Sequence, residues 1–221
     1  MTAPVWRCSC LALAHHLLMR SVLPLVALLL ACAVLPSAHA GALTVQVSDA
    51  TGRPLTDAVA LLEPVAGKAP VKPMADVDIS QAKRQFNPRV TLITVGTRAS
   101  FPNFDTVRHH VYSFSTAKSF ELKLYAGVPN APITFDKPGV AVLGCNIHDK
   151  MAAWVVVADT PWIARSGADG LARIDAVPPG SYRLTVWHPG LPANTMPTPM
   201  PLTITAADLT HAAKLAINLD P

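Results

Sequence analysis

Cys145, His148 and Met151 place a thiol, an imidazole and a thioether within seven residues, between the apolar runs Gly139 to Leu143 and Ala152 to Ala158. A copper ion that carries electrons is best held by one Cys sulfur and two His nitrogens in a near-trigonal plane. A long, weak axial thioether then tunes the potential. Three of those four donors lie in this one stretch, so a second imidazole must come from elsewhere in the chain. His109 and His110, adjacent in Asn103-Phe-Asp-Thr-Val-Arg-His-His-Val-Tyr-Ser-Phe, are the sources considered. If His109 and Val111 point inward, His110, Tyr112 and Phe114 point the other way; the reverse choice would bury two aromatics beside His110. Alternation alone leaves both histidines open.

The stretch from Asn103 resembles the Asn-x-Asp-x-x-Pro-His-x-Val-x-Ser run of the cupredoxins. Cys-x-x-His-x-x-Met is similar to the ligand loop of amicyanin, shorter than that of plastocyanin. In that register Asn103, Asp105, His109, Val111 and Ser113 fall on family positions, Arg108 replaces the usual Pro, and His110 takes a variable position. The resemblance implies His109, Cys145, His148 and Met151 around one type 1 copper. Phe86-Asn-Pro and Val95-Gly-Thr resemble early cupredoxin strands. Cupredoxins often carry an aromatic or His just before the cysteine, where this chain has Gly144. That leaves the edge of His148, rimmed by Ile147, Asp149 and Lys150, as the expected port for electrons.

Taken singly, each candidate ligand reads as an ordinary core residue, because buried Cys and Met are common and a His is often a satisfied polar group. Four ligand types in one register carry the copper reading. Zinc is the weaker alternative: thioether is a poor zinc ligand, and Asp149 would replace Met151 in such a site. The Irving–Williams order also favours copper. Asn146, Asn103 and Asp105 either orient the ligands from outside or form turns. His188 and His211 lack ligand-like spacing and are expected at the surface or in turns. Trp187 and Tyr182 are expected in a sandwich core, with Trp154 and Trp162 at a boundary between modules.

Residues 1–40 read as a secretory signal, with Met19-Arg20, the apolar run Ser21 to Leu35 and the small-residue site Ala38-His39-Ala40. Translation from Met19 in place of Met1 would give a leader of ordinary length. Acylation at Cys32 ranks lower, because Leu before the small residue disfavours it. A transmembrane anchor is not expected, since the run is short and a cleavage site follows. Cleavage after Ala40 removes Cys8, Cys10 and Cys32 and leaves Cys145 alone, which excludes an intramolecular disulfide. A lone thiol in an oxidising compartment suits burial or ligation. Loss of Arg7 and Arg20 lowers the formal charge from +4 to +2, too mild to argue for nucleic acid.

Prolines punctuating short apolar runs point to an all-β chain. Ala42 to Leu62 alternates, turns at Thr51-Gly52 and resumes, which predicts a β-hairpin. This segment resembles the opening of a transthyretin-like or carboxypeptidase-regulatory-like β-sandwich. The later pieces of that fold, an Asp-Gly turn and a Pro-Gly-x-Tyr strand, stand at Asp169-Gly170 and Pro179-Gly-Ser-Tyr182. Neither end has enough strands alone, whereas together they offer roughly the seven short strands of a small sandwich. Residues 41–73 and 162–221 are therefore expected to form one discontinuous sandwich, with residues 74–161 as a cupredoxin domain inserted at a loop tip.

The expected fold is all-β: a Greek-key cupredoxin β-sandwich inserted in, or fused to, a second small Ig/transthyretin-like β-sandwich. The resemblance implies a periplasmic blue copper protein that shuttles electrons between redox proteins such as a c-type cytochrome or a periplasmic dehydrogenase. Bacterial chains of this two-part type are often labelled methylamine utilization proteins. No nucleophile motif, phosphate loop or carboxylate pair rises above background, so an enzyme is not expected. The alternative is copper binding for delivery, sensing or resistance without electron shuttling. A third reading has the flanking sandwich bind a polymer or protein around a structural copper.

Overall fold

The computed structural model describes residues 40–129, 131–192 and 195–217, which contain strands, turns and irregular chain but no helix. The expected leader, with Cys8, Cys10, Met19 and Cys32, lies outside the described residues. No described helix is long and apolar enough to cross a membrane.

Strands are numbered in chain order. β1 (Gly41–Ser48) sits between β14 (Leu171–Val177), antiparallel, and β17 (Leu209–Lys214), parallel. In a second sheet β2 (Val59–Pro64) pairs with β13 (Ile163–Arg165) and β15 (Gly180–Trp187), and β15 pairs with β16 (Met200–Ile204). Alternate residues of the two sheets, among them Leu43, Val45, Leu62, Ile174, Leu184 and Ile204, meet in one core. The Asp169-Gly170 turn fits only without a side chain. Gly170 has φ +76°, and a Cβ there would stand 2.6 Å from the carbonyl oxygen of Val47.

The expected hairpin of β1 and β2 does not form. Beyond a single bridge from Ser48 to Pro54, the two strands join opposite sheets. The reason is burial on both faces of β2. Ala60 and Leu62 fill the first core, while Val59 and Leu61 fill a seam on the far side.

The candidate ligands His109, Cys145, His148 and Met151 lie in the other half. β6 (Val90–Thr94), β12 (Ala152–Ala158), β11 (Gly139–Cys145), β8 (His109–Ser115) and β9 (Lys118–Tyr125) form a five-stranded sheet in that order. All its pairs are antiparallel except β6 with β12. A small sheet of β10 (Ile133–Thr134), β7 (Arg98–Ser100) and β3 (Val77–Asp78) and a hairpin of β4 (Ser80–Ala82) and β5 (Gln85–Asn87) complete this half. Ile93, Phe101, Val111, Phe135, Leu143 and Val155 are buried in its core.

β12 explains why the chain needs an unbroken Val-Val-Val run. Ala153, Val155 and Val157 face the second core, while Val156 and Ala158 face the seam with Val59, Leu61, Val90 and Trp187. A strand covered on both faces reads as continuous apolar sequence. Each such Val contributes about 1.5–3 kcal/mol relative to exposure. Arg165 also crosses the seam, donating from Nη1 to the carbonyl of Val90 at 2.5 Å.

Trp154 at the boundary and Tyr182 in the first core stand where they were expected, whereas Trp187 and Trp162 exchange places. Trp187 is buried in the seam, and Trp162 packs against the first core with its ring edge-on to Tyr182 at 5.4 Å. Trp154 packs against the seam under the Arg89 guanidinium. Outward-facing positions of β15 are covered by the neighbouring sheet, so alternation could not tell core from boundary. His188 is in a turn, as expected, its carbonyl accepting the Leu191 N–H at 3.0 Å, but it is buried rather than at the surface, 4% exposed. His211 is half-buried on β17.

Candidate metal centre

Two adjacent strands and one turn build the site. Cys145 ends β11 opposite Val111 of β8, and His109 begins β8 on the same inward face as Val111. The Asn146 N–H still reaches the carbonyl of His110 at 3.3 Å, after which the chain turns. His148 N–H points to the Cys145 carbonyl at 3.4 Å and Met151 N–H to the His148 carbonyl at 2.9 Å, before β12 leaves at Ala152. These turns bring the His148 ring back over Cys145. Met151 comes down into the core that holds Cys145.

His109 Nδ1 lies 3.6 Å and His148 Nδ1 3.7 Å from Cys145 Sγ, and the two rings are 5.0 Å apart. Metal bonds of about 2.3 Å to sulfur and 2.0–2.1 Å to nitrogen, meeting at tetrahedral to trigonal angles, would span about 3.6–3.8 Å between donors. The observed spacing therefore fits one ion held by all three groups. Among the described residues these are the His, Cys, Asp or Glu side chains grouped closely enough to hold a metal ion. His109 is fully buried, Cys145 5% and Met151 2% exposed, while His148 is half-buried beside exposed Ile147, Asp149 and Lys150.

The donor chemistry favours a soft or borderline ion. Met151, not Asp149, occupies the core beside Cys145. A thioether with a thiolate and two imidazoles suits copper better than zinc.

Asp105 sets the tautomer of His109. Its Oδ2 is 2.8 Å from His109 Nε2, which places the ring proton there and leaves the Nδ1 lone pair facing the sulfur. The carboxylate is held in turn by the backbone N–H groups of Lys83 and Arg84, at 2.6 and 2.9 Å. Burial raises the Asp105 pKa, but the Arg84 N–H, the His109 ring and the Lys83 N–H outweigh it and hold the acid below its ordinary value. Asn103, 4% exposed, pins the intervening loop. Its Nδ2 donates to the carbonyls of Val107 and Tyr125, and its Oδ1 accepts the Asp105 N–H.

His110 points the other way. Its Nε2 contacts Glu121 Oε1 at 2.9 Å on the outer face of the sheet, away from the sulfur. The Asn146 and Asp149 side chains are exposed.

Two features escape the sequence. Lys83 and Arg84 both have left-handed φ, 56° and 57°, in the two-residue turn of the β4–β5 hairpin. Such turns usually carry Asn-Gly or Asp-Gly, so two basic residues gave no signal. Their amides converge on the Asp105 carboxylate, which offsets the backbone cost. Tyr125, the cross-strand partner of His109, donates its hydroxyl to the Phe101 carbonyl and accepts from Gln81 Nε2. Burial pushes its phenol up to about 12, with Gln81 opposing and the charge at Cys145 adding to the rise.

No protein-family model matches the chain, and no curated protein matches it. Among solved structures it is similar to a copper-containing nitrite reductase from Thermus scotoductus SA-01, at 29% identity over 43% of this chain and 25% of that one, with a TM-score of 0.35. It is similar to a purple cupredoxin from Nitrosopumilus maritimus, at 22% identity over 38% of this chain and 99% of that one, TM-score 0.33. A reduced Cu(I) amicyanin variant matches at 20% identity over 39% of this chain and 91% of its own, TM-score 0.33. The chain spans a quarter of the length of the nitrite reductase it matches.

Proposed function

We propose that this chain is a periplasmic type 1 copper protein of the cupredoxin kind that carries electrons between larger redox proteins and performs no substrate chemistry of its own. One copper per chain is held by His109, Cys145, His148 and Met151. A c-type cytochrome or a periplasmic dehydrogenase is the class of partner, and the two-part type labelled methylamine utilization protein is the reading for the whole chain. Residues 74–161 are the cupredoxin domain. Residues 41–73 and 162–221 are the carboxypeptidase-regulatory-like sandwich beside it, and the leader 1–40 is removed on export.

The observation that carries this reading is the convergence of two imidazole Nδ1 atoms on one buried thiol, at 3.6 and 3.7 Å, with a buried thioether in the same core. Bound copper would supply a one-electron Cu(I)/Cu(II) couple. The residues of the chain do the rest. Cys145 and His109 are fixed on paired strands, and Asp105 locks the His109 ring, so the donors hold one compromise geometry in both oxidation states. The half-buried His148 ring is the part of the donor set that reaches solvent.

The test is the visible absorption and EPR spectrum of residues 41–221, prepared without zinc and titrated with Cu(II). An intense thiolate-to-copper band with narrow copper hyperfine splitting is expected. A colourless protein, or one that takes only Cu(I), would favour copper delivery, sensing or resistance instead.

A further inference from the structure

Gly144 carries the peptide group that leads directly to Cys145, and the structure leaves it no room for a side chain. A Cβ there would stand 2.6 Å from Cζ and 2.7 Å from Oη of Tyr112, its cross-strand partner on β8. The phenol ring of Tyr112 therefore lies against the backbone one residue from the proposed ligand sulfur. On the same outer face the Phe114 ring is centred 5.2 Å from that of Tyr112 and is 75% exposed. An open groove of about 510 Å³ runs along this strip and reaches Val142, Gly144, Cys145 and Met151. Among the described residues, the flanking sandwich meets the outer face further back, where Val140 and Trp154 pack against the seam.

We infer that Tyr112 is a relay residue for electrons, coupling Phe114 at the surface through the Gly144 peptide to Cys145, and that the site has a second port on the outer face of the five-stranded sheet. This rests on the copper reading above. Electron tunnelling weakens exponentially with distance, and far faster across gaps than through bonded or tightly packed atoms. The outer face offers a packed path of two rings and one peptide to the sulfur, whereas His148 opens at the end of the sandwich. With copper held by His109, Cys145, His148 and Met151, Phe114 and Tyr112 would pass one electron from a reduced one-electron carrier to the bound ion, taking it from Cu(II) to Cu(I). No bond or proton moves, and neither ring is left oxidised.

Aromatic rings also cover cross-strand glycines for packing alone, so the test needs a readout that packing would not move. A photoactive ruthenium bipyridine complex is fixed to the histidine of a Phe114→His variant of the copper-loaded protein. Flash photolysis then gives the rate at which the label reduces the bound Cu(II). Adding Tyr112→Phe should keep that rate, and adding Tyr112→Leu should lower it several-fold. The same label placed by Val107→His, on the loop before His109, should be indifferent to Tyr112→Leu. Equal rates for Tyr112 and Leu at the first label position, or an equal fall at both positions, would overturn the relay. A parent protein without a thiolate-to-copper band would overturn the copper reading and the relay together; a blue parent with Tyr112-independent rates removes the relay alone.

Discussion

His109 is useful as a metal donor only if its Nδ1 is unprotonated, and Asp105 is the residue that arranges this. Replacing it by Asp105→Asn keeps the size of the side chain but removes the charge that binds the Lys83 and Arg84 amides. Partners of this kind are worth about 10–100-fold in metal affinity. Competition with a copper chelator should show a loss in that range, and an unchanged affinity would deny Asp105 the role. The two neighbouring histidines separate as cleanly. His109→Ala should abolish the thiolate-to-copper band, while His110→Ala, which removes the outward contacts to Glu121 and to the edge of the Tyr112 ring, should leave it. The reverse pattern would exchange the two assignments.

Single elements carry their own predictions. At the end of β15, His188 Nε2 donates to the Thr56 carbonyl at 3.0 Å, and Nδ1 accepts the Gly190 N–H at 2.9 Å. Protonation would set an N–H against an N–H. Burial holds its pKa below the ordinary 6.5; Thr56 and Asp57 oppose this, and Arg89 assists it. A depressed folded value means that the stability His188 confers is present above pH 6.5 and is lost as pH falls through the folded value. The thermal midpoint should therefore fall more steeply from about pH 7 to about pH 5 in the parent than in His188→Gln. Parallel profiles would refute the neutral buried ring. In the turn before β14, Gly170→Ala combines a left-handed φ with a Cβ pressed on the Val47 carbonyl, and should cost more than about 1 kcal/mol in denaturant titrations.

At the scale of the whole molecule, the seam decides whether the half that holds Cys145 and His109 and the flanking sandwich behave as one body. Val156 and Ala158 of β12 and Val59, Leu61 and Trp187 of the flanking sheet bury one another there. The opposite face of β12 packs in the same core as Cys145 and Met151. Trp187→Ala empties a large volume at the seam and should cost about 3–5 kcal/mol. Loss of the blue colour and loss of strand signal should then still coincide, at a lower temperature. If the strand signal falls in two steps and only the later one takes the colour, the halves unfold separately.

Reading the chain alone reaches a definite depth. Residues three positions apart lie close together in a tight turn, so the grouping of Cys145, His148 and Met151 was legible whatever surrounds them. Alternating apolar runs between prolines were enough for the all-β class, because a two-residue period is a local property. Long-range pairing decided the rest. The β8 residues show only alternation, and it is the pairing of β8 with β11 that puts His109 inward and His110 outward. Nothing in Lys83-Arg84 announces a turn whose amides seat Asp105. β1 and β2 read as a hairpin because the turn between them is local, while their separation into two sheets follows from what covers both faces of β2. The places of Trp187 and Trp162 and the burial of His188 in its turn escape the sequence for the same reason. Their surroundings are supplied by strands far away in sequence, and burial by a distant neighbour leaves no mark on the residues beside it.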